Sequence, residues 1–182
     1  MIKYIIIAIV ILLLVYIFVT INSFVKLKNQ VKEAFATMDV YLKKRWDLIP
    51  NIVETVKGYA KHEKDTLEDI AKLRNQIYDN LDNSEKIDTN KQVAPQISKL
   101  IALAEAYPEL KADKNFRDLS NQLSQVEDEI AHSRKYYNAT VRVYNNKVQM
   151  IPSNIIAHLL GYKAEKMFEA KEEEKENIKV EL

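Results

Sequence analysis

Few side chains in this sequence stand at spacings that could do chemistry. Glu129 and His132 form a Glu-x-x-His pair, the element that di-iron carboxylate bundles use in duplicate. Such a centre needs a second pair of this kind and two further glutamates, and neither His62 nor His158 has a glutamate three residues before it. Ile130 falls on an apolar stripe, so Glu129 and His132 flank that stripe and read as surface residues of a charged helix. His62-Glu63 could serve as a general base or a ligand pair, but one such pair on a helix reads as solvated. Tyr137-Asn138 and Tyr144-Asn145 repeat at heptad spacing, which places both asparagines on one edge of a helix. They read as interhelical hydrogen-bond layers that fix register; the competing reading is a polar groove for a ligand. Lys43, Lys44, Arg45, Trp46, Asp47 and Asn51 gather around Pro50, and this is the first place to look for a partner surface.

Other chemistries are excluded outright. The chain has no cysteine, so it has no disulfide framework, Cys-ligated zinc, iron–sulfur cluster or thiol nucleophile. Its two glycines, Gly58 and Gly161, are isolated and cannot build a phosphate loop or a dinucleotide fingerprint. No serine sits in a nucleophile-elbow pattern. No catalytic residue, metal ligand or cofactor is assigned, and no enzymatic activity is expected.

The elements that must position these residues are helices. With 2 Gly and 4 Pro in 182 residues, the chain lacks the turn formers of a sandwich or barrel. From Tyr4 to Ile21 only Thr20 is polar. Eighteen such residues rise about 27 Å as a helix, close to the ~30 Å hydrocarbon core of a bilayer. The run is too long for a signal-peptide core and no small-residue cleavage site follows it, so an uncleaved transmembrane anchor is expected. Lys26, Lys28, Lys32, Lys43, Lys44 and Arg45 follow the span and only Lys3 precedes it. The positive-inside rule then puts a short N-terminus outside and the body in the cytoplasm, the opposite topology remaining open. Since Lys3 is the only charge before Lys26, the body carries 26 basic and 26 acidic side chains. That balance argues against nucleic acid as a partner. The basic stretch after the span reads as a solvated, topology-setting face ahead of specific lipid recognition.

Apolar residues recur in steps of three and four from Leu27 to Leu81, with Arg45 and Glu63 near the seam where apolar residues are expected. Pro50 predicts a kink or break at Ile49–Pro50, and Asn22–Ser23 is the other soft point. A second helix is predicted over 85–106, capped by Asn83 or Ser84, with Pro95 kinking it or setting off its first turn. Pro108 interrupts the next stretch and Asp113 is a candidate N-cap. Residues 114–151 carry the clearest periodicity and predict one long helix. Pro152 stops it, Ser153 can cap a short helix, and Gly161 ends that helix. The run from Lys163 onward reads as a charged, solvated tail that frays after about Glu172. Long helices on short connections predict an all-α fold: a transmembrane helix at 1–25, an antiparallel four-helix bundle of up-and-down type at 26–170, and a tail at 171–182.

The run Lys43-Lys-Arg-Trp-Asp-Leu-Ile-Pro-Asn-Ile-Val-Glu-Thr-Val-Lys-Gly-Tyr-Ala-Lys-His-Glu63 closely resembles the signature of the LemA family of bacterial membrane-anchored proteins. So do Ala104-Glu-Ala-Tyr-Pro-Glu-Leu-Lys-Ala112, the two Tyr-Asn pairs, and Pro152-Ser153 followed by Ala157, Gly161 and Phe168-Glu169. The resemblance runs from the anchor to about Glu169. It departs at Trp46, where the family often has Tyr, and over 79–99. It implies a single-pass protein of the bacterial cytoplasmic membrane with a four-helix bundle and a cytoplasmic body. It implies architectural roles for Pro50 as a kink, Gly58 at a close helix approach and Pro108 in a turn, and it supplies no catalytic residue or cofactor.

The resulting expectation is a membrane-anchored interaction or scaffold protein. It would contact the bilayer through residues 4–21 and bind a protein partner, with self-association possible. The alternatives are a membrane-tethered sensor holding a small ligand beside Tyr137, Asn138, Tyr144 and Asn145, and, more remotely, a carboxylate–His metal enzyme.

Overall fold

The computed structural model describes residues 1–60 and 78–168. His62, Glu63, the stripe residues Leu67, Ile70, Leu73 and Ile77, and everything from Glu169 on lie outside the described residues. The described residues are all-α with no strand. We number the helices α1 (Ile2–Tyr59), α2 (Asn83–Glu105), α3 (Pro108–Ala112), α4 (Lys114–Gln149) and α5 (Ser153–Leu159), with a 3-10 turn at Tyr78–Asn80. They form two compact units, Lys32–Tyr136 and Met1–Val31 with residues from Tyr137 on.

In the unit of residues 32–136, α1 continues through Pro50 without a break, the more severe of the two outcomes expected there. Proline costs a helix interior about 3 kcal/mol. Its neighbours Leu48, Ile49, Ile52 and Val53 are all buried, and each such side chain contributes about 1.5–3 kcal/mol on leaving water. Burial therefore outweighs the one lost hydrogen bond. The same holds at Pro95, which sits inside an uninterrupted α2 among buried Val93, Ala94 and Ile97. One apolar core joins Ile52, Val56 and Ala60 of α1 to Val93, Ile97 and Leu100 of α2, Leu110 of α3, and Phe116 and Leu123 of α4. Among the described residues, a methyl group at Gly58 would meet nothing within 4 Å.

Caps set the helix ends. Asp82, rather than Asn83 or Ser84, caps α2. Its carboxylate accepts from the Glu85 N–H at 2.8 Å, and Glu85 accepts in turn from the Asp82 N–H at 2.7 Å. This is a capping box, which satisfies two orphan donors at once. Asp113 caps α4 by accepting from the Phe116 N–H at 2.9 Å. That bond is the main reason its carboxyl lies below the usual range; the Tyr59 hydroxyl, which donates to it at 3.1 Å, adds to the effect.

In the other unit, α1 is also unbroken at Asn22–Ser23. Among the described residues it is the one helix long and apolar enough to cross a membrane. Its side chains are exposed from Ile2 to Val19 except half-buried Ile17, and burial begins at Thr20 and Phe24. Ser153 does not cap α5 through its side chain; its hydroxyl donates to the Lys147 and Met150 carbonyls at 2.7 and 2.9 Å, closing the end of α4 instead. After α5 the chain reverses at Gly161 (φ 73°). There the Tyr162 N–H reaches the Ala157 carbonyl at 2.9 Å and the Gly161 N–H the His158 carbonyl at 3.3 Å, the two bonds of a Schellman turn. Glycine takes this left-handed conformation without the steric penalty of a Cβ.

Candidate functional site

The six residues around Pro50 divide by helix face. Arg45 is buried, only 3% exposed, and points inward. Its guanidinium donates to both Glu127 oxygens, at 2.9 and 3.2 Å, and to the Asn90 carbonyl at 3.5 Å. It does not lie on an outer partner surface. Instead it ties α1 to α4 through Nη1, which reaches both Glu127 oxygens, and to α2 through Nη2 at the Asn90 carbonyl. Trp46 is half-buried, its ring centroid 5.6 Å from that of Tyr78. Tyr78 donates to Asp39 at 2.6 Å, and the Lys86 ammonium reaches the same carboxylate at 2.6 Å. Burial first, then the Asp39 contact, pushes the Tyr78 phenol far above its ordinary pKa, so it stays a neutral donor. Lys43 is exposed and paired with Asp79 at 2.8 Å, which raises its pKa.

Lys44, Asp47 and Asn51 are exposed and, with exposed Val40, step by four, three and four along one outward face of α1. Glu129 and His132, the Glu-x-x-His pair, are exposed on α4.

The Tyr-Asn repeat makes six hydrogen bonds to backbone groups among the described residues. The described residues place it against the chain's own segment 162–168, not against another helix. The Asn138 amide donates to the Phe168 carbonyl and accepts from the Phe168 N–H, both at 2.8 Å. Asn145 does the same to Glu165, at 2.9 and 2.8 Å. The Tyr137 hydroxyl donates to the Lys166 carbonyl at 2.9 Å and the Tyr144 hydroxyl to the Lys163 carbonyl at 3.0 Å. A side-chain amide thus pairs with a backbone amide as one strand pairs with the next.

The register has a simple origin. Asn138 and Asn145 are seven residues apart, as are Tyr137 and Tyr144, and that is about 10.5 Å along a helix. Phe168 and Glu165, like Lys166 and Lys163, are three apart, which is about 9–10 Å in an extended chain. Two turns of helix match three residues of strap, running antiparallel to α4.

Other contacts fasten the strap. Phe168 is buried, with its ring edge-on to Tyr137 at 6.4 Å. Tyr162 stacks on Phe24 at 4.8 Å, and Glu165 pairs with Lys28 at 3.4 Å. Burial, helped by the Glu165 carboxylate, pushes the Tyr137 phenol up to about 12 and raises Tyr144 as well. Both therefore remain protonated donors. The segment expected from sequence as the start of a solvated tail is a bound strap as far as Phe168. The signals for it were Phe168 itself, an apolar ring in a charged run, and the capacity of asparagine to mimic a peptide group.

The LemA family model matches residues 34–182, and the chain belongs to that family. Over 158 residues it is 25% identical to Protein LemA of Metamycoplasma hominis, covering 86% of this chain and 72% of that protein. Over 75 residues it is 31% identical to Magnetosome protein MamQ 2 of Paramagnetospirillum magneticum. It is 28% identical, also over 75 residues, to Magnetosome protein MamQ of Magnetospirillum gryphiswaldense. Each of these two matches covers 41% of this chain and 28% of the relative. Family membership and the apolar start of α1 are together compatible with attachment to a membrane.

Proposed function

We propose that this protein is a non-catalytic scaffold held at the bacterial cytoplasmic membrane by the first part of α1. Its N-terminus lies outside, and its cytoplasmic body is an antiparallel four-helix bundle that presents a protein-binding face. The observation that carries the reading is the change along α1: exposed from Ile2 to Val19 apart from half-buried Ile17, and apolar throughout that stretch except for Lys3, then buried on one face from Thr20 and Phe24 onward. An apolar surface of that length left bare in water would be unfavourable at roughly 25 cal/mol per Å², and lipid removes the cost. The excess of Lys and Arg after the span supports the orientation.

The binding face is Val40, Lys44, Asp47 and Asn51, which mixes one apolar and three polar exposed residues on one side of α1. The partner is a second protein or a second copy of this chain. A photo-crosslinking residue at Lys44 or Asn51 in intact cells should give one discrete adduct, lost on Asp47→Lys. A crosslinker at exposed Ser124 of α4 should not give it. Absence of the adduct, or the same adduct from both faces, refutes the assignment. Cysteine labelling from the two sides of the membrane, at Met1 and at Gln125, tests the orientation.

A further inference from the structure

The short helix α5 is apolar on the wrong side for a protein in water. Ile151 and Leu159 are 81% and 77% exposed, and Met150, Ile155 and Leu160 are exposed with them. Within α5, Ile155 and Leu159 are four apart and share one exposed face, and exposed Ile151 lies in the turn just before the helix. The same helix buries Ile156, Ala157 and Ser153. Contiguous apolar exposure of this kind marks an interaction surface.

The position of α5 identifies what covers it. The Schellman turn at Gly161 and the stack of Tyr162 on Phe24 hold the end of α5 against α1 at Phe24. The bare apolar stretch of α1 ends at Val19. Phe24 is five residues further, about 7.5 Å along the helix axis. The headgroup layer adds roughly 5–7 Å beyond each face of the hydrocarbon core. If Ile2–Val19 crosses the bilayer, the end of α5 lies at headgroup depth.

Charge points the same way. From Tyr137 to Ala164 the chain carries Arg142, Lys147 and Lys163 and no Asp or Glu, and Lys26 of α1 is exposed nearby in sequence to Phe24. Basic residues beside an apolar helix face are what an interfacial helix presents to anionic lipid.

We propose that α5 is an interfacial helix whose Ile155–Leu159 face, with Ile151 of the preceding turn, lies in the headgroup layer of an anionic bilayer, a second membrane contact beside the anchor. It rests on the reading of α1 as a membrane anchor. The contact restrains the tilt and rotation of the unit to which it belongs, because two points of attachment leave less freedom than one.

The absence of native cysteine allows a clean test. The full chain is made with a single cysteine at Leu159, at Leu12 of the anchor, or at polar, exposed Gln125. Each is labelled with an environment-sensitive fluorophore and reconstituted into phosphatidylcholine–phosphatidylglycerol vesicles. Lipids carrying a quencher at the headgroup or deep in the acyl chain are then compared. The Leu159 label should be quenched about twofold or more by the shallow quencher over the deep one, as a helix buried only ~5–10 Å requires. The Leu12 label should show the reverse, and the Gln125 label neither. Quenching at Leu159 should weaken in phosphatidylcholine alone; equal quenching in both lipids overturns the requirement for anionic lipid.

If Leu159 behaves like Gln125 while Leu12 is quenched, the proposal is overturned and the anchor stands. If Leu12 is not quenched either, the anchor reading itself falls. Self-quenching of Leu159 labels without lipid quenching assigns the face to a second copy of the chain and also overturns the proposal.

Discussion

Replacing Asn138 with alanine removes two hydrogen bonds at once, those to the N–H and the C=O of Phe168 at 2.8 Å. A hydrogen bond of this kind contributes a net ~1 kcal/mol, so the strap should lose about 2 kcal/mol against local opening. Since about 1.4 kcal/mol is a factor of ten, the Phe168 amide should exchange with solvent roughly 30-fold faster. The assay is residue-resolved hydrogen exchange by NMR on the full chain in a nanodisc, with the Ile97 amide in the apolar core of α2 as internal reference. Its rate should stay within a factor of about two, because opening of the strap is a local event.

Asn138→Asp is the isosteric check. It keeps the acceptor for the Phe168 N–H but turns a carboxylate oxygen toward the Phe168 carbonyl, where the amide had donated. At neutral pH it should open the strap at least as far as alanine does, although it has the same size. The two asparagines hold one strap, so the Asn138→Ala and Asn145→Ala effects should not add. A change at Phe168 of less than about threefold in Asn138→Ala, or an equal change at Ile97, would falsify the assignment of the repeat to strap binding.

Glu127→Gln should destabilise the fold by about 2–3 kcal/mol in urea titrations. Its side chain is partly solvated, but the buried Arg45 fork loses its counter-charge. Arg45→Met should cost about 1 kcal/mol or less, because methionine fills the space and Glu127 can rehydrate; the opposite order would refute this account. Gly58→Ala should raise stability by about 0.5–1 kcal/mol, since the added methyl meets nothing among the described residues and the helical backbone loses less entropy, and a lower melting temperature would contradict it. Asp113 has a folded-state pKa below its unfolded value of 3.8. Its capping contribution is therefore complete above about pH 5 and is lost as pH falls through the depressed value. Exchange of the Phe116 amide should accelerate in that acid window, and Asp113→Asn should abolish the pH dependence.

Much of the architecture was legible because it follows from local rules. The three-and-four stepping from Phe116 to Val148 marks α4, Asp113 caps it, and Gly161 ends the turn after α5. Neither Pro50 nor Pro95 breaks its helix, because the apolar burial around each outweighs the local cost. Asp82, not its neighbours, caps α2 because Glu85 three residues on completes a capping box. Arg45 was seen to fall near an apolar seam, but its partner lies 82 positions away in the chain, and nothing local identifies Glu127.

Composition and period alone determined that this chain is helical, that Tyr4–Ile21 is an apolar run long enough to cross a bilayer, and that it carries no cysteine chemistry. Those properties depend on residue type and on spacing along one helix. Tertiary structure alone decided that Arg45 faces inward to Glu127, that the Tyr-Asn repeat binds the strap of residues 162–168, and that α5 buries Ile156 while leaving Ile155 and Leu159 exposed. Each of these depends on which distant segment arrives opposite a given side chain. A periodic stripe tells a helix which face to bury, but it does not name the neighbour against which that face is buried.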